Sequence, residues 1–347
     1  MNVFFSSLKS WPGSRSKQEL KGKSDIISLD ESDLVTTGDI NPEGEMRWWQ
    51  RDLCPLLSFP GENIDIASTR LREGRSYIFL TETMCRTALL PRQACAAESL
   101  ATHNPERIVV FLMTSQRLNA KDPYTQLLFK FSFMELDEYF GNTSLEKWFL
   151  NGTWNENTNW PYMNLADALR FLIVYHFGGV YMDSDFVSMR RLPIASNWVG
   201  RQDNKVLAAG AFHFEKNHEF MRRAVDNFLE NFNPNIWSNN GPGVVTRVMK
   251  QMCKESVEEF YLIKANKKSK GRHRVCGGVK ILPPELIYPI HFSDWKLLFQ
   301  PNLGYRFLSK CDAYGVHMWN KLSEAEETHV GDGSISDITA KKFCPEV

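Results

Sequence analysis

NLADALRFLIVYHFGGVYMDSDF, Asn164 to Phe186, decides how the rest of this chain is to be interpreted. Its first half has the apolar period of a helix. Asn164 is expected to cap that helix with Asp167 at the third position, and Gly178 supplies the left-handed residue that ends it. Val180-Tyr181-Met182 then forms a short buried strand that delivers Asp183 and Asp185 to its carboxyl end, where ligands bind in α/β sheets. Alternation along an extended chain puts residues i and i+2 on the same side. Two carboxylates held roughly 6 Å apart near a buried edge repel by on the order of 1 to 3 kcal/mol at intermediate dielectric, and a divalent cation removes that cost. Hard oxygen ligands favour Mg or Mn over zinc, so a metal–diphosphate complex is the expected occupant. Gly178 and Gly179 are expected to let the backbone approach that donor. Asp167 and Arg170, spaced i, i+3, could face the site from the helix; the plainer reading is a cap and a surface ion pair. An isolated Asp-x-Asp is equally consistent with an exposed turn, and the strand, glycine pair and helix around it carry the inference.

Outward from this segment the pattern is α/β. Ser76–Leu80 and Arg107–Met113 are predicted strands, with a helix from Pro91 to His103 between them that Asn104-Pro105 stops. Strand, helix, strand at these intervals begins a parallel sheet. Further strands are expected at Val206–Phe214, Lys280–Leu282 and Gly315–Trp319, and a helix at about Gly243–Cys253. Phe220, Met221, Ala224, Val225, Phe228 and Leu229 share one helical face and are assigned to the core. Residues 1–74 lack a sustained apolar period and are expected to be a poorly ordered stem; 75–322 form one catalytic domain, and 323–347 a C-terminal extension.

Composition excludes several classes. Lys plus Arg (41) equals Asp plus Glu (41) among 347 residues, so no global basic field exists to hold a nucleic acid. The basic stretch from Lys264 to Arg274 is expected to be a solvated loop. None of the seven cysteines forms a CxxC pair or has zinc-ligand spacing, so disulfides are their expected use. The sequons at Asn142 and Asn151 also point to the secretory lumen. Against this, Met1–Leu34 offers only the apolar patch Val3-Phe4-Phe5, with neither a signal core nor a run of about eighteen apolar residues.

The central segment resembles the Asp-x-Asp core of the α-1,4-galactosyltransferase and α-1,4-N-acetylglucosaminyltransferase family. Five further blocks resemble that family in order: Ile78–Thr83, Arg92–Ser99, Asn240-Gly241-Pro242, Pro283-Pro284 with Tyr288-Pro289-Ile290, and His317–Asn320. The resemblance implies a GT-A fold, a Rossmann-like, mostly parallel central sheet flanked by helices. It implies Asp183, Asp185 and His317 as metal ligands, for Mn2+ or Mg2+, and Asp183, Asp185, Arg170 and Asp167 as the catalytic group. Contacts to a UDP-sugar donor are implied for Thr81, Glu82, Asp167, Arg170, Gly178, Gly179 and Tyr181, with Asn240, Gly241 and Pro242 in a loop on the acceptor side. A Cys253–Cys276 disulfide is implied as well, and Cys95 is expected to pair with Cys85 or Cys54. The implied location is the Golgi lumen or membrane, although the usual anchor is not apparent in this sequence.

The chemistry expected from such a family is transfer of Gal or GalNAc in α-1,4 linkage, with retention of the donor's configuration, to a glycolipid or another glycan; GlcNAc transfer is the alternative. The metal and Arg170 would absorb the charge on departing UDP, whose own phosphate oxygen takes the acceptor proton. Glu82, Asp203 and Glu215 are the remaining carboxylates considered as covalent nucleophiles. Two rival readings are a glycan-binding relative without turnover and a haloacid-dehalogenase-like phosphatase. The latter would use Asp183-Ser184-Asp185-Phe186-Val187 and the late acidic loop Gly331–Asp337. The polar stretch before Gly331 cannot supply the buried strand that this loop needs.

Overall fold

The computed structural model describes residues 74–347 apart from 116, 120, 128–130, 135, 195–196, 204 and 254–273, with short pairing segments at 35–36, 63–65 and 69–71. Most of the expected stem, and the basic stretch up to Arg274, lie outside the described residues. In chain order the main elements begin with β1 (Tyr77–Glu82), α1 (Pro91–His103), β2 (Ile108–Met113) and β3 (Phe131–Phe133). Next come α2 (Pro161–Phe177), β4 (Gly179–Met182), β5 (Phe186–Ser188), β6 (Trp198–Arg201) and β7 (Leu207–Phe214). The chain continues with α3 (Glu219–Glu230), α4 (Pro242–Cys253), β8 (Arg274–Cys276) and β9 (Val279–Leu282). It ends with β10 (Gly315–His317), α5 (Asn320–Ser323) and α6 (Ile335–Phe343).

Eight strands form one mixed sheet in the order β8-β9-β6-β7-β4-β1-β2-β3. β1 pairs in parallel with both β2 and β4, β2 with β3, and β6 with β9, whereas β7 runs antiparallel between β4 and β6. All six residues of β1 are buried, as a strand covered on both faces requires.

The helix before the acidic pair starts earlier than its sequence suggests. Pro161 occupies its first position and Trp160 its N-cap, so Asn164 is not the cap. Asn164 is instead buried, donating its amide to the Trp154 carbonyl at 3.1 Å. Proline is favoured at a first helical position because its missing N–H is unneeded there. At the other end Gly178 has φ 68° and its N–H bonds the Val174 carbonyl. A Cβ on Gly178 would lie 2.6 Å from the Lys216 nitrogen, and one on Gly179 2.7 Å from the Tyr77 carbonyl oxygen. The glycine pair thus answers to the packing of the turn and of β1. It stands at the amino end of β4, four strand residues or about 13 Å from Asp183.

Helix α3 buries Phe220, Met221, Ala224, Val225 and Phe228 as its stripe predicts, while Leu229 at the stripe's edge is 39% exposed. A second, smaller core gathers Val187, Leu298, Val316, Met318, Ile335 and Phe343. It forms because β10 returns antiparallel beside β5, with His317 opposite Phe186, and α6 packs beneath. The disulfide Cys95–Cys344 ties α6 to α1 and replaces the expected pairing of Cys95 with Cys85 or Cys54; Cys54 lies outside the described residues. Cys253 and Cys276 are joined as the family resemblance implied.

A crosslink over 249 residues constrains the unfolded chain strongly. Cys344→Ser should therefore cost about 2–5 kcal/mol in denaturant unfolding and expose the C-terminal segment to limited proteolysis.

Candidate active site

The sheet delivers the acidic pair through a turn. β4 ends at Met182, and the Asp183 N–H still reaches across to the Gly210 carbonyl of β7 at 2.8 Å. The chain then folds back, with Phe186 N–H bonding the Asp183 carbonyl at 3.1 Å, before β5 begins. Asp183 and Asp185 therefore converge because of this turn, not through alternation along a strand. His317 closes the group from β10: its Nε2 is 3.1 Å from Asp185 Oδ1 and 3.4 Å from Asp183 Oδ2. One ligand atom from each of the three residues lies within 4.8 Å of the others.

A buried guanidinium balances only part of this charge. Arg170 Nη1 donates to Asp183 Oδ1 at 3.2 Å and to the Ala209 carbonyl at 2.9 Å; Nη2 is 3.1 Å from Asp167 Oδ1. Its plane lies over the Tyr181 ring at 4.8 Å. Burial disfavours this cation, but Tyr181, Asp167 and Asp183 outweigh burial and hold its pKa above the ordinary value. Burial pushes the Asp167 carboxyl up to about 6, against Arg170 and with help from Asp183. Burial also tends to raise Asp183, yet Arg170 and then His317 pull it below the usual range. Asp185 goes up, again chiefly through burial, with His317 opposing and Asp183 reinforcing. For His317 burial lowers the pKa, and Asp185 and Asp183 more than offset it. Three carboxylates thus share one guanidinium and one imidazole, and the excess negative charge is suited to a divalent cation.

The donor set fits such an ion: two hard carboxylates with an imidazole suit Mn or Mg better than zinc's preferred sulfur and nitrogen ligands. One feature constrains how His317 takes part. Its Nδ1 accepts from the Trp319 N–H at 3.1 Å, which leaves the ring proton on Nε2, between the carboxylates. Ligation through Nε2 requires that proton to move to Nδ1 and the Trp319 contact to yield. The two aspartates need no such rearrangement.

Thr81 and Glu82 end β1 on the same edge. Thr81 Oγ1 is 3.1 Å from the Tyr181 hydroxyl, and Tyr181 is itself buried under Arg170, so it orients that cation. Glu82 is buried; its Oε1 accepts from the Met84 N–H at 2.6 Å, and its Oε2 has no hydrogen-bond partner. Burial raises its pKa despite that bond. Asn240 commits its amide to the Asn164 Oδ1 and the Asn233 carbonyl, and it organises its loop. Gly241 abuts Asp167, where a Cβ would sit 2.5 Å from Oδ1, and Pro242 opens α4. Glu215 directly follows the end of β7 that pairs with Gly179, far from the acidic pair, and Asp203 caps the turn into β7 by accepting from the Lys205 and Val206 N–H groups. The Gly331–Asp337 loop is a structural cap: Asp337 accepts from the Gly331 and Gly333 N–H groups, and Ser334 caps α6.

Several positioning residues have roles that the sequence does not reveal, although Arg92, Trp319 and Asn320 fall in blocks that resemble the family. Asn320 N–H donates to Asp185 Oδ2 at 2.7 Å, and Arg92 Nη1 holds the Asn320 carbonyl of the side chain at 3.1 Å. Trp319, at φ 54°, turns the chain sharply between His317 and Asn320. Gly210 is opposite Asp183 on β7, with ordinary extended backbone. A Cβ there would lie 2.8 Å from Asp183 Cγ, closer still to Oδ2, and 3.1 Å from the Tyr288 hydroxyl. Space, and not backbone freedom, demands glycine at this position. A scan for glycine opposite an acidic turn needs the strand register, which only the fold supplies.

Sequence comparison agrees with this geometry. Residues 91–207 match the family described as a glycosyltransferase sugar-binding region containing the DXD motif, and residues 213–347 match the alpha 1,4-glycosyltransferase conserved region. Human lactosylceramide 4-alpha-galactosyltransferase is 32% identical over 288 residues, covering 77% of this chain and 75% of that protein. Human alpha-1,4-N-acetylglucosaminyltransferase is 27% identical, covering 79% and 80%. Among solved structures, PaToxG glycosyltransferase is similar at TM-score 0.39 and 16% identity, over 58% of this chain and 72% of that one. The family matches make this chain a glycosyltransferase enzyme. The chain belongs to the α-1,4-glycosyltransferase family, whose DXD region implies a divalent metal and a nucleotide-sugar donor.

Gly210→Ala should displace the Asp183 carboxylate and weaken Mn2+ binding by about tenfold or more, as changes to groups that orient a metal ligand do. Isothermal titration with Mn2+ measures this, with far-UV circular dichroism reporting that the fold is kept.

Proposed function

We propose that this protein transfers galactose or N-acetylgalactosamine from its UDP-sugar, in α-1,4 linkage and with retained configuration, to the terminal sugar of a glycan, foremost a lactosylceramide-like glycolipid. The observation that carries the reading is the Asp183–Asp185–His317 group backed by Arg170 at the carboxyl edge of the sheet. The similarity to a lactosylceramide galactosyltransferase supports galactose and a glycolipid acceptor. N-acetylglucosamine is the second reading, supported by the other relative.

In this reading Asp183 and Asp185 hold Mn2+, with Mg2+ as the substitute, in a GT-A arrangement. The cation supplies positive charge to the diphosphate as it leaves. Arg170 stays charged in a buried place and adds a second fixed cation without reorganisation. Asp167, turned toward Gly241 and the acceptor-side loop, accepts hydroxyl hydrogen bonds from the donor sugar. Glu82 Oε2, buried without a hydrogen bond and 3.7 Å from Arg86 Nε, is suited to accept from the N–H of the base or a ribose hydroxyl. The acceptor hydroxyl gives its proton to a phosphate oxygen of UDP, and no side chain is assigned as a covalent nucleophile.

A lumenal location in the Golgi accords with the disulfides Cys95–Cys344 and Cys253–Cys276 and with the exposure of both sequon asparagines, Asn142 and Asn151. No helix among the described residues is long and apolar enough to cross a membrane.

Incubating the purified protein with Mn2+, each UDP-sugar in turn and a β-lactoside should release UDP fastest with UDP-galactose or UDP-N-acetylgalactosamine, and EDTA should abolish it. Asp185→Ala should lower turnover by about a hundredfold or more, in keeping with several kcal/mol for a lost metal ligand. Full activity in EDTA, or a loss below about tenfold for Asp185→Ala, contradicts the reading.

A further inference from the structure

The loop Asn231–Gly241 lies along the first two turns of α2 in matched register. Thr158 Oγ1 donates to the Pro234 carbonyl at 2.7 Å, and Asn240 bonds Asn164 at 3.1 Å. Gly241 abuts Asp167 at one end. At the other end Trp237 meets Trp160 edge-on, with ring centroids 5.4 Å apart and planes at 71°. Trp160 is the N-cap of α2 and precedes Asp167 by seven residues, about 10 Å along the helix axis. The pair therefore stands about two helical turns beyond Asp167, at the amino end of the helix whose Asp167 meets Gly241 and, through Arg170, Asp183.

Trp237 is exposed yet fixed against the half-buried Trp160. Trp237 is 48% exposed and Ile236 57%, while the loop beneath them is anchored by buried amides. Large apolar side chains held rigidly at a surface, next to a site, indicate a ligand surface. The charge of the loop limits what that ligand is. Asn231 to Asn240, NFNPNIWSNN, contains five asparagines and one serine and no ionised side chain. The nearby Arg247 guanidinium is already engaged by Asn239 and Asn227, so the loop's own surface is neutral and favours an uncharged ligand over a phosphate or an acidic headgroup. It matches a pyranose ring, whose C–H face packs on an indole while its rim of hydroxyls meets amides.

We propose that Trp237, seated on Trp160, is the stacking platform for a sugar ring of a neutral glycan acceptor. The inference rests on the reading that the chain glycosylates a glycan, and it assigns the acceptor's binding surface to residues outside the metal centre. Trp160 is a positioning residue for Trp237, and Trp237 the contact.

The test uses the full chain with Mn2+, UDP-galactose and methyl β-lactoside. Trp237→Ala should raise the KM for the lactoside by about tenfold, the scale of losing one anchoring aromatic, with a much smaller change in the KM for UDP-galactose. Trp237→Phe should recover most of the loss. Saturation-transfer NMR of methyl β-lactoside, which needs no turnover, should show a signal with the wild-type protein that Trp237→Ala removes. That signal supports the platform even if no UDP-sugar is turned over, an outcome that would sink the functional reading alone. An unchanged lactoside KM, equal losses for donor and acceptor, or a defect confined to acceptors presented in vesicles overturns the proposal; the last result would point to lipid contact instead.

Discussion

The structure depends on a charge imbalance held at the end of one short strand. Arg170, wholly enclosed, bridges Asp167 and Asp183, and Asp185 sits beyond it with His317 as its neighbour. A guanidinium buried without partners would be intolerable, and carboxylates packed this closely repel. Satisfying both requires α2, β4 and β7 to meet at fixed distances, which is what the Ala209 carbonyl and the space at Gly210 provide. What remains after these pairings is net negative charge, and in the proposed reading that remainder holds the cation.

The far end of the chain is part of this arrangement. β10 brings His317 beside the acidic turn, the left-handed Trp319 aims the next amide at Asp185, and Arg92 on α1 holds Asn320 in place. The smaller core and the Cys95–Cys344 link fasten these C-terminal elements to α1. A stretch that in the sequence looks like an appendage after the catalytic domain therefore packs against the elements that carry the metal group.

Much of this was legible in the amino-acid sequence because it rests on local rules. Period and punctuation place α1, α2 and the buried strands, and Gly178 marks the helix stop by its need for positive φ. The acidic pair stands out for the same reason: a strand followed by Asp-x-Asp is a local pattern. Purely local rules also misled. Asn164 has the chemistry of a cap, but Pro161 starts the helix sooner and tertiary contacts with Asn240 claim its amide. For the glycine pair the sequence could not show the close approach of the Tyr77 and Lys216 backbones, which by itself requires glycine there. Gly210, Asn320 and the partner of Cys95 could not be found from spacing, since each owes its role to a neighbour 27 to 249 residues away.

The most direct test of the central claim is anomalous diffraction at the manganese edge from crystals grown with Mn2+ and UDP. A single strong peak between the Asp183 and Asp185 carboxylates, in contact with the diphosphate, is the predicted result. A nucleotide bound with no manganese at that position, or manganese held elsewhere, would contradict it.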